Sequence, residues 1–107
     1  MISSGGENIY SPEVERVLSE HPAVAEVAII GVPDETWGEV VKAVVGLKPD
    51  ASATSEEIIA FCAERLARFK CPRSVDIVPA LPRNPTGKIL KKDLRAPFWE
   101  GRDRSIV

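Results

Sequence analysis

The sharpest chemical feature of the 107-residue sequence is the stretch PRNPTGK, Pro82 to Lys88. Pro82 and Pro85, with Pro79 upstream, restrict the backbone, and Gly87 permits a tight turn. Lys88 follows at once, so a stiff loop would project one ammonium group. A cation held in this way suits a phosphate or carboxylate whose negative charge grows in a transition state. The alternative is a surface lysine after a turn. Thr86-Gly87-Lys88 matches the end of a phosphate-binding loop, but the full GxxxxGK pattern followed by Ser or Thr fails. Pro82 stands where its first glycine is needed, and Ile89 stands where the hydroxyl residue is needed. A second feature is SGGEN, Ser4 to Asn8: glycine pairs line narrow channels, and they also make simple turns, the plainer reading here. Trp37 lies in the polar segment DETWGE. There an indole marks either a stacking surface or packing beneath a hairpin.

Other reactive side chains point away from chemistry. The single histidine, His21, sits in a His-Pro step that ends a helix, so no Ser/His/Asp set exists and a structural role is expected. Glu13 and Glu15 read as helix-terminus charges rather than an acid–base pair. Cys62 and Cys71 form neither a CxxC nor a Cys/His cluster, so no zinc site and no metal ligand is assigned. Cys62 falls in an apolar helical pattern and reads as buried; Cys71, at a loop entry, reads as exposed. Two unmatched thiols point to a reducing compartment.

These residues need elements to hold them. Residues 1–10 read as a strand or extended segment broken by Gly5-Gly6. Ser11 is a plausible N-cap with Pro12 at the first helical position, and Val14, Val17 and Leu18 give one apolar face before His21-Pro22 stops the helix. Val24 to Val32 and Val40 to Leu47 are β-branched runs expected to pair as an antiparallel hairpin, with a turn at Pro33-Asp34-Glu35 and Trp37-Gly38 in the connecting loop. Thr54 and Glu57 form a capping box for a helix whose stripe is Ile58, Cys62, Leu66 and Phe69, ended by Pro72. Phe69 then simply closes that stripe. Ser74 to Val78 alternates like a strand, Ile89 to Leu94 reads as a short basic helix, and the chain from Pro97 on reads as frayed or extended. The order predicts an α+β layer domain: a small sheet of about three strands packed with two helices, plus a short C-terminal helix and an N-terminal extended segment.

Composition agrees with one globular domain over residues 1–107, with 44% apolar and 28% charged residues. The net charge of −2 is no footprint for nucleic acid. It hides an asymmetry: residues 1–71 carry 6 basic and 12 acidic groups, residues 72–107 carry 8 and 4. The basic end either faces an anionic ligand or is a lopsided solvated surface. No apolar run approaches the ~20 residues that span a bilayer. The start MISSGG is not a signal peptide, so a cytoplasmic location is expected.

Four segments, SGGENIYSPEVE, GVPDETWGEVVKAVV, LARFKCP and PRNPTGKILKKDL, occur in this order and spacing. Together they resemble the small C-terminal domain of the adenylate-forming (AMP-binding) enzymes, closest to the fatty-acid and aryl-CoA ligases, over about residues 2–95. The resemblance implies a lid for a large N-terminal domain, absent here, that binds ATP, Mg²⁺ and a carboxylic acid. The lid takes two orientations. In the first, Lys88 matches the lysine that enters the site as the acid attacks ATP, giving acyl-adenylate and pyrophosphate. In the second, Lys88 withdraws and the CoA thiol displaces AMP. Gly5 and Gly6 then match glycines bordering the pantetheine tunnel. Trp37, Phe69 and Arg73 resemble positions that border the CoA nucleotide, the aromatics offering faces to adenine and the arginine charge to phosphate.

ATP and CoA are substrates in this reading, and the large domain, CoA and acyl-adenylate are the partners. The family's hinge residue and ribose-binding arginine would lie upstream of Met1. Pro12 stands one position later than the proline often seen after NIY, and Cys71 stands where a basic residue can occur in relatives. Two alternatives stay open: the equivalent piece of an adenylation enzyme that serves a carrier protein, and a standalone non-catalytic binding module.

Overall fold

The structure, a computed structural model, describes residues 1–100. The N-terminal segment folds into a hairpin of its own. β1 (Ile2–Ser4) pairs antiparallel with β2 (Glu7–Ile9), and Gly5 and Gly6 turn the chain at φ 57° and 87°. Two successive left-handed residues make the tight turn that matches strand twist, which a glycine pair adopts without a Cβ penalty.

α1 (Ser11–Ser19) follows. Tyr10, not Ser11, takes the N-cap position, and no side chain caps it. Ser11 falls inside the first turn, and its hydroxyl instead accepts from Lys91 Nζ at 3.0 Å. Pro12 does occupy the first turn, where its missing N–H costs nothing.

β3 (Val24–Asp34) and β4 (Gly38–Leu47) form the long antiparallel hairpin. Pro33 and Asp34 belong to β3 rather than to the turn, which is Glu35-Thr36-Trp37. Asp34 explains the shift: its Oδ1 accepts from the N–H groups of Thr36 and Trp37, both at 2.9 Å, and closes the tip one residue later. β5 (Ser74–Ile77) adds parallel to β4, giving a mixed sheet of order β3-β4-β5.

α2 (Ser55–Ala63) starts at Thr54, whose hydroxyl oxygen accepts from Glu57 N–H at 3.1 Å. The Glu57 carboxylate accepts from the Thr54 hydroxyl at 3.2 Å rather than from the cap amide. The helix stops at Ala63, earlier than the apolar stripe suggests. The Cys62 carbonyl already accepts from both Arg65 and Leu66 N–H groups, which tightens the chain out of the helix. Phe69 lies beyond, in a 3-10 turn (Arg68–Lys70). α3 runs over Lys91–Trp99 rather than Ile89 to Leu94 and carries Pro97 inside it, so the chain is helical where the sequence suggests a frayed or extended end from Pro97; residues 101–107 of that end lie outside the described residues. The helix is anchored at its far end, where the Trp99 indole N–H donates to the Gly31 carbonyl at 2.8 Å and the Lys42 ammonium sits 5.0 Å from the Phe98 ring centre.

The α+β class is met, with layers on both sides of the three-stranded sheet. One face, with Val27, Ile29, Ala43 and Val45, packs against Val14 and Leu18 of α1, Ile58 and Cys62 of α2, and Ile2 and Ile9 of the small hairpin. The other, with Ala28, Ile30, Val32 and Val44, packs against Leu81, Ile89 and Leu94. A strand buried on both faces needs no polar alternation, which is why Val24 to Val32 reads as an almost continuous apolar run. Cys71 is buried in the first cluster, contrary to its expected exposure. Pro72 turns the chain back so that the Arg73 N–H donates to Val41 at 2.8 Å, which carries Cys71 under the sheet.

Candidate functional site

The Lys88 loop is a small closed hairpin. Arg83 and Ile89 pair across it, and Leu90 N–H donates to the Pro82 carbonyl at 2.9 Å. Gly87 N–H donates to the Asn84 carbonyl and Asn84 N–H to the Lys88 carbonyl, both at 2.9 Å. One side-chain oxygen organises the inside: Asn84 Oδ1 accepts from Thr86 N–H (3.1 Å), the Thr86 hydroxyl (2.6 Å) and Lys88 N–H (3.0 Å). Gly87 sits at φ 89°, which a side chain would oppose. Arg83 Nη1 donates to the Gly87 carbonyl at 2.6 Å.

The Lys88 backbone is thus fixed by its own N–H and carbonyl, while its side chain is exposed and makes no hydrogen bond or ion pair among the described residues. Lys91 is the opposite case. Its Nζ is held by Glu15 Oε2 at 2.6 Å and the Ser11 hydroxyl at 3.0 Å. A charged amine without an internal partner, on a rigid backbone, is ready to meet an external anion without first breaking a bond.

Of the other expected site residues, Gly5 and Arg73 meet Trp37 at the tip of the β3–β4 hairpin. Gly5 N–H donates to the Trp37 carbonyl at 3.0 Å, and the indole lies against Gly5 where a Cβ would stand. The Arg73 guanidinium lies 5.5 Å from the Trp37 ring centre, a cation–π arrangement. Trp37 is 45% exposed, so it both packs and presents a face. Phe69, exposed, lines a groove with Arg68, Pro72, Arg73 and Ile59 beside α2. Gly6 has nothing beside it where a side chain would project. The structure therefore joins Gly5 to Trp37 and Trp37 to Arg73, sets Phe69 in a groove that Arg73 also lines, and leaves Gly6 open.

Lys88 is elsewhere. Its loop is tied through Arg83 to Glu26 near the start of β3, whereas Trp37 lies beyond Asp34 at the other end of that strand. Eight strand steps of ~3.3 Å separate Glu26 from Asp34, about 26 Å.

Sequence reading missed several residues that hold the two surfaces. Asn84 had a local signal, since Asn before Pro-Thr-Gly is turn chemistry. Glu26 had none, because its partner Arg83 is 57 positions away. Glu15 does more than face a helix dipole: its carboxylate accepts from Ile29 N–H at 2.8 Å on the free edge of β3 as well as from Lys91. His21 is structural as expected, its Nδ1 accepting from Ala23 N–H at 3.1 Å. Burial pushes the Cys62 thiol up to about 12, aided by hydrogen bonding with Cys71, so it is no nucleophile. Among the described residues no group of three or more His, Cys, Asp or Glu side chains is placed to hold a metal ion. No described helix is long and apolar enough to cross a membrane.

The family profile described as AMP-binding enzyme C-terminal domain matches residues 13–88. A 7a-methyl-1,5-dioxo-octahydroindenyl-propanoyl:CoA ligase of Rhodococcus jostii is 54% identical over 95 residues, 89% of this chain and 18% of the relative. The fatty acid–[acyl-carrier-protein] ligase ScoC of Streptomyces coeruleorubidus is 43% identical over 101 residues, 94% of this chain and 20% of the relative. The solved structure of a Mycobacterium tuberculosis fatty acyl CoA synthetase superimposes with a TM-score of 0.86 at 47% identity, covering 96% of this chain and 20% of that one. The chain thus spans about a fifth of the length of the curated relatives it matches.

Proposed function

Since the chain belongs to the family of AMP-binding enzyme C-terminal domains, we propose that it is the mobile C-terminal domain of an ATP-dependent acyl-CoA synthetase. That enzyme joins a carboxylic acid to CoA, releasing AMP and pyrophosphate. The observation that carries the reading is the separation of two differently equipped surfaces toward opposite ends of β3: at one end the loop of Lys88, whose ammonium has no partner among the described residues, and at the other a glycine turn, indole and guanidinium.

In the adenylation orientation Lys88 meets the carboxylate and the α-phosphate. Two anions must approach each other there, and a preorganised cation between them offsets their repulsion and the charge that develops. Rotation of the domain then withdraws Lys88 and presents Gly5 and Gly6 to the pantetheine arm. Trp37 and Phe69 offer faces to adenine, and Arg73 offers charge to phosphate. Mg²⁺ belongs with the large domain in this reading, and no step on this chain passes through it. The large N-terminal domain, ATP, CoA and the acyl-adenylate are the partners, and the cytoplasm is the compartment.

A second reading is favoured by the 43% identity to a ligase that serves an acyl carrier protein. There the pantetheine arm comes without adenine, and Trp37 and Phe69 would have nothing to stack on. The test uses the full-length enzyme, meaning this domain joined to the large domain its relatives carry. Acid-dependent exchange of pyrophosphate into ATP, followed by thioester formation with free CoA, is expected. Thioester formation only with a carrier protein would support the second reading. The 107 residues alone should show no exchange, and exchange above buffer would defeat the two-domain proposal.

A further inference from the structure

We propose that Arg83 is a positioning residue for Lys88, anchored by Glu26 and acting through the Gly87 carbonyl; the proposal rests on the reading of Lys88 as the adenylation lysine. The β3–β4 pairing slips between Val24 and Glu26, where Val24 faces Leu47 and Glu26 already faces Gly46. Such a bulge re-aims the side chain that follows it. Gly46 supplies the space: a Cβ there would approach Glu26 Cγ to 2.8 Å, so the carboxylate lies across β4 only because residue 46 has no side chain. Glu26 then reaches the Lys88 loop with both oxygens. Oε1 accepts from Arg83 Nη2 at 2.6 Å and Oε2 from Leu81 N–H at 3.3 Å.

Arg83 passes this anchoring on. Its guanidinium is planar, so binding Glu26 through Nη2 fixes the direction of Nη1, which donates to the Gly87 carbonyl. That carbonyl belongs to the peptide group leading into Lys88. Gly87 is the loop position with the greatest freedom to swing this peptide plane. Asn84 restrains the Lys88 N–H from inside the loop, and Arg83 restrains the adjoining carbonyl from outside. The direction in which Lys88 leaves the loop is therefore referred to β3, a strand of the rigid sheet. Placement errors of ~1 Å in a reacting group reduce rates by as much as 10²-fold, so this restraint acts on the step that uses Lys88.

The two half-reactions of the full-length enzyme separate this role from a merely structural one. Arg83→Gln is expected to lower kcat for adenylation by about 10-fold or more, with KM for ATP and acid little changed. Thioester formation from supplied acyl-adenylate should stay at the wild-type rate. The exchange Glu26→Arg with Arg83→Glu restores an ion pair but leaves no donor for the Gly87 carbonyl. It is expected to recover melting temperature without recovering adenylation. Recovery of both would make the pair a stability strut and overturn the proposal. Wild-type adenylation in Arg83→Gln, beside a crippled Lys88→Ala, would overturn it while leaving the function of Lys88 intact. Full adenylation in Lys88→Ala would remove the function of Lys88 itself, and the proposal with it.

Discussion

Gly5 lies directly beneath the indole of Trp37: a methyl group on the glycine would overlap Cε3 and Cζ3 of the ring. Gly6, its neighbour, faces open space at φ 87°. The adjacent glycines should therefore answer substitution differently. Gly5→Ala strains the backbone at φ 57° and also displaces Trp37 and, with it, the Arg73 contact; a shift in Trp37 emission, a lower melting temperature and a loss larger in thioester formation than in adenylation are expected. Gly6→Ala carries backbone strain of ~1 kcal/mol and little else. Gly6→Leu adds bulk where the pantetheine arm is proposed to pass, and should be much worse than Gly6→Ala in thioester formation alone. Equal losses for Ala and Leu in both half-reactions, tracking melting temperature, would remove Gly6 from the site.

Lys88→Ala should slow adenylation by about 10²-fold or more in the full-length enzyme, as expected for loss of one preorganised charge. Stability should be unchanged, because the Lys88 side chain has no internal partner among the described residues. Thioester formation from supplied acyl-adenylate should be nearly spared. Equal losses in both half-reactions would count against a domain that presents two surfaces in turn.

Glu15→Ala tests scaffold rather than chemistry. It strands the Ile29 N–H on the edge of β3 and leaves Lys91 only the Ser11 hydroxyl. An unfolding free energy lower by about 1–3 kcal/mol is expected from chemical denaturation. The ratio of the two half-reaction rates should not move. A changed ratio at unchanged stability would mean that Glu15 or Lys91 belongs to the site.

The Cys62 thiol gives a pH dependence whose sign is fixed. In the unfolded chain it ionises near 9.0, and in the folded protein near 12. Above pH 9 the unfolded state loses its proton first, so stability from this group is complete below pH 9 and declines as pH rises toward 12. The melting temperature of the wild type should fall more steeply between pH 8 and 11 than that of Cys62→Ala. Iodoacetamide should label Cys62 at pH 8 only in denaturant. Rapid labelling of the native protein would mean the thiol is neither buried nor raised.

Much of this architecture is legible in local pattern. Thr54 and Glu57 announce α2, the two β-branched runs announce the long hairpin, and Gly5-Gly6 marks a turn, because each signal is decided by residues within a few positions of one another. The failures share a different cause. Phe69 follows the apolar stripe of α2 and yet lies outside the helix, since apolar spacing does not say where the chain tightens after Cys62. α3 runs past Pro97 because Trp99 bonds Gly31, 68 positions earlier. Lys88 stands out by its prolines and glycine, whereas the residues that aim it, Glu26 and Arg83, meet only after the sheet has formed.

The β3–β4 hairpin also limits how such a domain can vary. Removing one residue from each strand would move every side chain beyond the cut to the opposite face of the sheet, and both cores would have to repack around the wrong residues. Removing two from each keeps the alternation and draws Trp37 toward the Lys88 end by ~7 Å. The spacing between the two surfaces is therefore adjustable only in discrete increments. A matching large domain has to accept one of a few allowed arm lengths, not a continuum.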